Sequence, residues 1–327
     1  MRVFVSGGAG YIGSHTVRRL IANGHEVTAY DDLSAGHRQA VPESVLVVGR
    51  LQDTRKLNQI MAERRIEAVV HFAASVNVGE SVAEPAAYYE NNVGGSLALL
   101  DACKQAGVRR FVFSSTCATY GVPEAVPITE REKQNPINPY GNTKLAVERA
   151  ATDYAQAYGI SCCFFRYFNA SGASTDASIG EDHRPETHLI PLLLAAAAGL
   201  RPPVQIFGND YPTPDGTCIR DYVHVDDLAV AHELALHRLQ DGEVKAFNLG
   251  TGCGQSVWQV VRACEQVTGK SAPVQVAPRR SGDPPELVAD ASCIAHEWGW
   301  QAEYRDLVRI VETALNWHQI HPDGYGE

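Results

Sequence analysis

The sequence predicts an α/β protein in which a doubly wound parallel sheet is followed by a smaller C-terminal α/β domain. Three observations predict it. Short apolar strands alternate with amphipathic helices over the first half of the chain. A glycine cluster falls between the first strand and the first helix. After Gly172 this rhythm gives way to loops rich in Gly, Pro and Asp. The chain has 327 residues, 45% hydrophobic and 20% charged, long enough for one large domain or two and too apolar to be disordered.

The elements follow in order. Residues 2–6 are a short apolar run ending in glycines, a buried strand. Over 11–23, Ile12, Val17, Leu20 and Ile21 make a helical stripe that Gly24 stops. Residues 26–30 and 45–48 read as the second and third strands, 54–64 as a helix and 68–72 as a strand. Residues 92–106 carry Leu97, Leu99 and Leu100 on a helix ended by Gly107, and 110–114 form the next strand. A helix over 142–158, ended by Gly159, leads to a strand over 161–166. Buried strands joined by helices imply a parallel sheet covered on both faces, with right-handed crossovers. The loops 176–186, 208–216 and 279–285 mark the smaller domain. The expected division is 1–172 and 173–327. Residues 222–236 read as strand, turn and helix, so 222–250 is a candidate to return to the first domain.

Gly7, Gly10 and Gly13 space out a G-x-x-G-x-x-G loop between strand and helix. Such a loop turns tightly and lets backbone N–H groups at a helix N-terminus approach a pyrophosphate. Strand, glycines, helix and second strand together are the context a Rossmann-type dinucleotide site requires. Asp31 and Asp32 close the second strand, where an acid accepts hydrogen bonds from the adenosine ribose and repels the extra phosphate of NADP. NAD is therefore the expected cofactor, with Arg38 the one nearby charge that would suit NADP. Turn formation would also explain the two acids.

Tyr140 and Lys144 are four residues apart at the start of a predicted helix, so they share one face. An ammonium beside a phenol favours the phenolate, as would the positive ring of an oxidised nicotinamide. The pair would then act as a base near neutral pH. Tyr and Lys at this spacing also occur by chance on helix surfaces. Thr116 ends the strand that runs through Ser114, at the sheet edge where ligands bind, and is placed to share a substrate proton with Tyr140.

These residues carry a resemblance. The motifs Gly7-Gly8-Ala9-Gly10-Tyr11-Ile12-Gly13, Ser114-Ser115-Thr116 followed by Tyr120-Gly121, and Tyr140-x-x-x-Lys144 resemble the extended short-chain dehydrogenase/reductase family. His71-Phe72-Ala73-Ala74, Arg166-Tyr167-Phe168-Asn169, Gly180-Glu181-Asp182, Arg220-Asp221-Tyr222 and Pro278-Arg279-Arg280 narrow it to the UDP-glucose 4-epimerase group. The similarity runs nearly end to end, down to Gly324-Tyr325.

The resemblance implies an isomerase that interconverts UDP-galactose and UDP-glucose through a transient 4-keto sugar and enzyme-bound NADH. It implies Tyr140 as base for the sugar 4-hydroxyl, tuned by Lys144, with Thr116 beside it. Tyr11, Ile12, Leu51, Phe72, Ala73, Asn91, Ser114 and Phe168 match positions that contact the cofactor. Asn169, His188, Leu189, Gln205, Phe207, Arg220, Arg280 and Asp283 match positions that hold uridine and diphosphate, the two arginines being suited to a bidentate clamp. The resemblance also implies a homodimer through a four-helix bundle of the helices over 92–106 and 142–158.

Three positions depart from the group. Arg50 follows Gly49 where an Asp near the adenine is usual, and Val76 stands where some relatives carry Lys. Leu287 replaces a bulky Tyr that confines the pocket to glucose and galactose, which brings in UDP-GlcNAc and UDP-GalNAc as a second expected pair. A 4,6-dehydratase would need acidic groups after Thr116, where Cys117 and Ala118 stand. An NAD-consuming dehydrogenase would require an exchangeable cofactor. A non-catalytic nucleotide-sugar sensor would be expected to lack the Tyr140–Lys144 pair.

Composition bounds the partners. Lys plus Arg is 28 and Asp plus Glu 38, a net charge of −10 that disfavours nucleic acid. No signal peptide or membrane span is read, and the eight cysteines form no CxxC or zinc-finger spacing, so a reducing cytoplasm is expected. His183 and His188 lie in an acidic loop without a metal-site spacing and read as binding or capping residues; no metal is expected.

Overall fold

In a computed structural model, which describes residues 1–280 and 282–326, the first half of the chain builds β1 (Arg2–Ser6), α1 (Tyr11–Ala22), β2 (Glu26–Asp31), β3 (Leu46–Val48), α2 (Thr54–Glu63) and β4 (Ala68–His71). It continues through α3 (Val78–Ala83), α4 (Pro85–Tyr88), α5 (Gly95–Ala106), β5 (Arg110–Thr116), α6 (Pro139–Tyr158), β6 (Ser161–Tyr167) and β7 (Asn169–Ser171). Position 281, in the predicted loop 279–285, lies outside the described residues.

Two sequence boundaries shift. The helix expected from 92 begins at Gly95, because residues 89–94 wind as a π-helical turn. Here Asn92 spends its side chain on the Ser75 backbone and on Thr143 Oγ1 rather than on solvent. The helix expected from 142 begins at Pro139, since Asn138 caps it by accepting from Gly141 N–H at 2.8 Å, and proline suits a first helical turn.

The second half adds α7 (Leu189–Ala197), β8 (Val204–Phe207), β9 (Ile219–His224), α8 (Val225–Arg238), β10 (Val244–Leu249), β11 (Gly254–Ser256) and α9 (Val257–Thr268). It closes with β12 (Val274–Ala277), β13 (Glu286–Leu287), α10 (Ser292–Trp298) and α11 (Leu307–Ile320).

Seven strands form the main sheet in the order β10-β6-β5-β4-β1-β2-β3, and every pairing is parallel. The strands are apolar on both sides because both faces are covered. One face packs Val3, Val5, Val70 and Phe165 against α1 and α8; the other packs Phe4, Val69, Phe111 and Phe164 against α2, α5 and α6. The sheet grows outward from β1 in one direction and from β4 in the other. The switch point, where a crevice opens at the carboxyl ends of the strands, therefore lies between β1 and β4.

Residues 222–250 divide between layers. Helix α8 and strand β10 join the main sheet's layer, whereas β9 pairs with β7, β11 and β13 in a smaller sheet. A third apolar cluster, built on Leu193, Val260 and Ile310 of α7, α9 and α11, underlies that smaller sheet.

Candidate active site

The glycine loop is fixed by close backbone packing. Gly7 has φ +68°, and a Cβ there would stand 2.6 Å from Ala73 N; at Gly13 it would stand 2.0 Å from Gly7 O. Gly10 differs. Its nearest neighbour would be Gly7 O at 3.4 Å, so this side faces open space, and no side chain caps the helix that follows. The first N–H groups of α1, which lack intrahelical acceptors, are thus left for an anion. That cradle fits the pyrophosphate of a dinucleotide.

Asp31 is buried, and its carboxylate accepts from Ala9 N–H at 2.9 Å and Leu33 N–H at 2.8 Å. It therefore shapes the loop while keeping acceptor capacity for a ribose. Asp32 is spent on a turn, accepting from Ser34 N–H at 2.9 Å, with Arg50 Nε 3.7 Å away. The Arg50 side chain is 70% exposed. Leu51 is buried and Ile12 and Phe72 half-buried, while Ala73 N donates to Ser6 O, bringing the β4 end against the glycine loop. Asn91 Nδ2 donates to Ser75 Oγ, and the Tyr11 hydroxyl donates to Gly172 O at 2.6 Å.

Two strands away, β5 delivers Ser114 and Thr116, and the first turns of α6 deliver Tyr140 and Lys144. The Thr116 hydroxyl is the polar neighbour of the Tyr140 phenol. Lys144 Nζ donates to Ser114 O at 2.8 Å and lies 5.9 Å from the Tyr140 ring centre. Burial pushes the phenol up to about 12 against the opposing Thr116 bond, and pushes the ammonium down to about 7 against the pull of Glu148. In the bare protein both groups are thus driven toward neutrality, and the sequence expectation of a lowered phenol needs a further positive charge at the site.

A buried network that the sequence did not reveal backs this pair. Arg166 Nη2 meets Glu148 Oε2 at 2.7 Å, Ser115 donates to Glu148, and Arg166 also donates to the Tyr120 hydroxyl at 3.1 Å. Ser114 Oγ shares a hydrogen bond with Tyr167 Oη. One signal was present: Glu148 stands one turn beyond Lys144 on the same helix face. Its partner Arg166 comes from the neighbouring strand.

The expected substrate residues line the smaller sheets. Arg220 on β9 donates to Asp283 and to Ile219 O, and the Arg280 guanidinium stacks 3.9 Å from the Phe207 ring. Gln205 and Phe207 lie on β8, paired with β12. Asn169 begins β7, and His188 occupies the N-cap position of α7, just before Leu189, without a side-chain capping bond. Leu287 pairs in register with Arg220 and packs with Cys117 and Phe168, next to Thr116. His188 Nδ1 is turned to Glu181 at 2.8 Å rather than left free for a nucleotide.

A seven-stranded parallel sheet with a glycine cradle at its switch point and a Tyr–Lys pair nearby defines a nucleotide-dependent enzyme of the short-chain dehydrogenase/reductase type. The NAD-dependent epimerase/dehydratase family model matches residues 3–250, and the chain belongs to that family. It is similar to a UDP-glucose 4-epimerase of Lacticaseibacillus casei, 48% identical over 100% of this chain and 99% of that protein. Among solved structures it matches a Brucella ovis UDP-glucose 4-epimerase in complex with NAD, with TM-score 0.93 and 50% identity over 96% of this chain and 97% of that one. It also matches the UDP-Glc/GlcNAc 4-epimerase of Campylobacter jejuni, with TM-score 0.84 and 41% identity over 98% and 99%.

Proposed function

We propose that this chain is an NAD-dependent isomerase that interconverts UDP-galactose and UDP-glucose at C4. The observation that carries the reading is the convergence of Tyr140, Thr116 and Lys144 at the carboxyl edge of the sheet that also holds the glycine cradle. When bound there, NAD supplies a reversible acceptor for the hydrogen at the sugar C4. Gly7, Gly10, Gly13 and Asp31 hold its phosphate and ribose ends, and Ser114, Phe168 and Lys144 flank its reactive end.

Tyr140 takes the 4-hydroxyl proton, with Thr116 bridging phenol and sugar, and returns it to the 4-keto oxygen in the second half of the cycle. The phenol needs positive charge close by to act as a base, because burial alone holds it near 12. Lys144 provides part of that charge, and an oxidised nicotinamide the rest, so the base is strongest when the cofactor is in place. Cys117 supplies no acid for a dehydration, since burial pushes its thiol up to about 12. Arg220 and Arg280 hold the diphosphate, with Asp283 fixing Arg220. Leu287, smaller than Tyr, walls the sugar pocket and admits the N-acetylated pair as second substrates.

The chain is proposed to form a homodimer through α5 and α6. Their outward side carries the exposed Leu97 and Tyr158, and Tyr154 donates to Asp101 across the two helices at 2.7 Å. A single-chain mass by sedimentation at micromolar concentration would overturn this. Among the described residues no helix is long and apolar enough to cross a membrane. All eight cysteines are free, which suits a reducing cytoplasm.

The deciding experiment is proton NMR of UDP-galactose with the purified protein and no added NAD. Conversion to UDP-glucose at a constant final ratio is expected. No conversion, with or without added NAD and with UDP-GalNAc as well, overturns the assignment.

A further inference from the structure

The segment between β7 and α7, residues 172–188, holds a group of side chains of which only His188 matches an expected nucleotide position and none takes part in the chemical step. Donor atoms of Glu181, His183, Glu186 and His188 all lie within 4.8 Å of one another. His188 Nδ1 is 2.8 Å from Glu181 Oε1 and 3.0 Å from Glu186 Oε1; His183 Nδ1 is 3.3 Å from Glu181 Oε1 and 3.6 Å from Glu186 Oε2. Tetrahedral coordination with bonds of about 2.0–2.1 Å places neighbouring ligand atoms about 3.3 Å apart. The separations among His188 Nδ1, Glu181 Oε1, His183 Nδ1 and Glu186 Oε2, at 2.8, 3.3 and 3.6 Å, bracket that edge length.

A second observation points to a ligand. The Glu181 side chain is only 6% exposed, and among the described residues its Oε1 and the buried His183 Nδ1 have ion-pair neighbours inside the group but no hydrogen-bond partner outside it. The groups face one another at ion-pair distance, so their donor atoms are held at one point. Glu186 is oriented from behind: its Oε1 accepts from Thr187 N–H at 2.6 Å and His188 N–H at 2.7 Å, leaving Oε2 toward His183. Such outer bonds are how protein sites fix their ligands.

We propose that Glu181, His183, Glu186 and His188 bind one divalent cation of the zinc type. Two imidazole nitrogens with two carboxylate oxygens suit zinc better than magnesium or calcium, which take oxygen ligands. Four protein ligands close the shell, the arrangement of a structural site and not of a hydrolytic one. The ion ties the loop to the start of α7 and to α1, whose Tyr11 ring meets the His183 ring edge-on at 6.1 Å. Coordination through Nδ1 leaves His188 Nε2 uncommitted to the ion.

Without an ion the same cluster would be a closed salt-bridge network. Burial opposes protonation of His183, but Glu181 and Glu186 outweigh it and push it up to about 9. Metal analysis separates the two. Untagged protein is purified, its metals measured by mass spectrometry, and a chelator-stripped sample titrated with zinc chloride and separately with cobalt chloride. One zinc per chain, and the visible absorption of tetrahedral cobalt, are expected. His183→Gln and Glu186→Gln should each weaken uptake by at least about tenfold. No saturable uptake by the wild-type chain, or only octahedral cobalt absorption, overturns the proposal without reference to any variant. Uptake lost on His237→Gln but kept in His183→Gln overturns it too, since it assigns the metal to the His25, Glu233 and His237 group.

Discussion

Tyr140 is the residue whose replacement says most. Tyr140→Phe removes one oxygen from a buried ring and keeps its volume, so the fold and the cofactor content of the purified protein should hold. Turnover should fall by about 10²–10⁴, the range of general base catalysis. A variant that keeps a tenth of wild-type turnover with UDP-galactose would place the base elsewhere. Leu287 sets a finer outcome. Wild-type protein should convert UDP-GalNAc, and Leu287→Tyr should lose that conversion while keeping UDP-galactose turnover within severalfold, both read by NMR. If the N-acetyl pair turns over only after Leu287 is made smaller, the wall is correctly placed but its natural breadth is not. The residues readable in the sequence are those whose meaning lies in local spacing: the three glycines, Tyr140 with Lys144, and Thr116 at a strand end. Glu148, Arg166 and Tyr167 escaped because their partners come from other strands, and Asn92 because it bonds Thr143 of α6. Of the Glu181–His188 group the sequence offers His183 and His188 in an acidic loop as binding or capping residues, but not their meeting with the two carboxylates. A loop has no period, so nothing in its spacing shows that four side chains meet.

The glycine loop and the α1 start act as one element, and two of its glycines can be told apart by experiment. At Gly13 an added methyl would overlap Gly7 O, at 2.0 Å, so the backbone itself must move. At Gly10 the methyl meets only Gly7 O at 3.4 Å and projects toward the cradle. Gly13→Ala should lower the unfolding midpoint and release NAD together. Gly10→Ala should leave the unfolding free energy of the cofactor-free protein within about 0.5 kcal/mol of wild type, as an unstrained surface change does, and still lose NAD. Absorbance of bound nucleotide and urea unfolding of stripped protein measure the two effects separately. Equal destabilisation by both would mean that Gly10 serves packing and not the ligand. The π-helical turn before α5 shows why element boundaries were harder to read than elements. Leucine periodicity locates the helix, whereas its first turns are decided by Asn92 reaching the Ser75 backbone. Helix α6 begins early for a comparable reason, the Asn138 cap, and that earlier start places Tyr140 and Lys144 inside the helix on one face.

Across the whole molecule, stability should depend on buried histidines that join the layers. His71 in β4 lies between Ser6 Oγ and Ser96 Oγ, His232 of α8 bonds Leu228 O among Phe72, Phe165 and Tyr167, and His224 at the end of β9 reaches Thr313 of α11. Burial depresses all three, His71 to about 3 with Lys144 adding to the effect, and His224 and His232 to about 4. They are neutral in the fold and titrate near 6.5 once unfolded. Below that value the unfolded chain binds protons that the folded chain refuses, so stability is full above about 6.5 and falls as the pH drops toward about 4. Each histidine contributes at most about 1.4 kcal/mol per pH unit, and the three together about 4. Asp31, Asp221 and Asp227, raised by burial, bind protons more readily in the fold and oppose the trend at its acid end. Urea midpoints measured from about pH 6.5 to about pH 5 should therefore fall, with a slope that is small at first and grows toward about three protons near pH 5. His183 and His188, raised by Glu181 and Glu186, already hold protons in the metal-free fold and offset the fall above about pH 6.5. His232→Phe fits the same aromatic surroundings without a titrating nitrogen and should remove about one proton from that slope. A flat profile in this window would mean that the fold accommodates charged imidazoles, and that the contact between the main sheet and the smaller one is more open to solvent than its packing indicates.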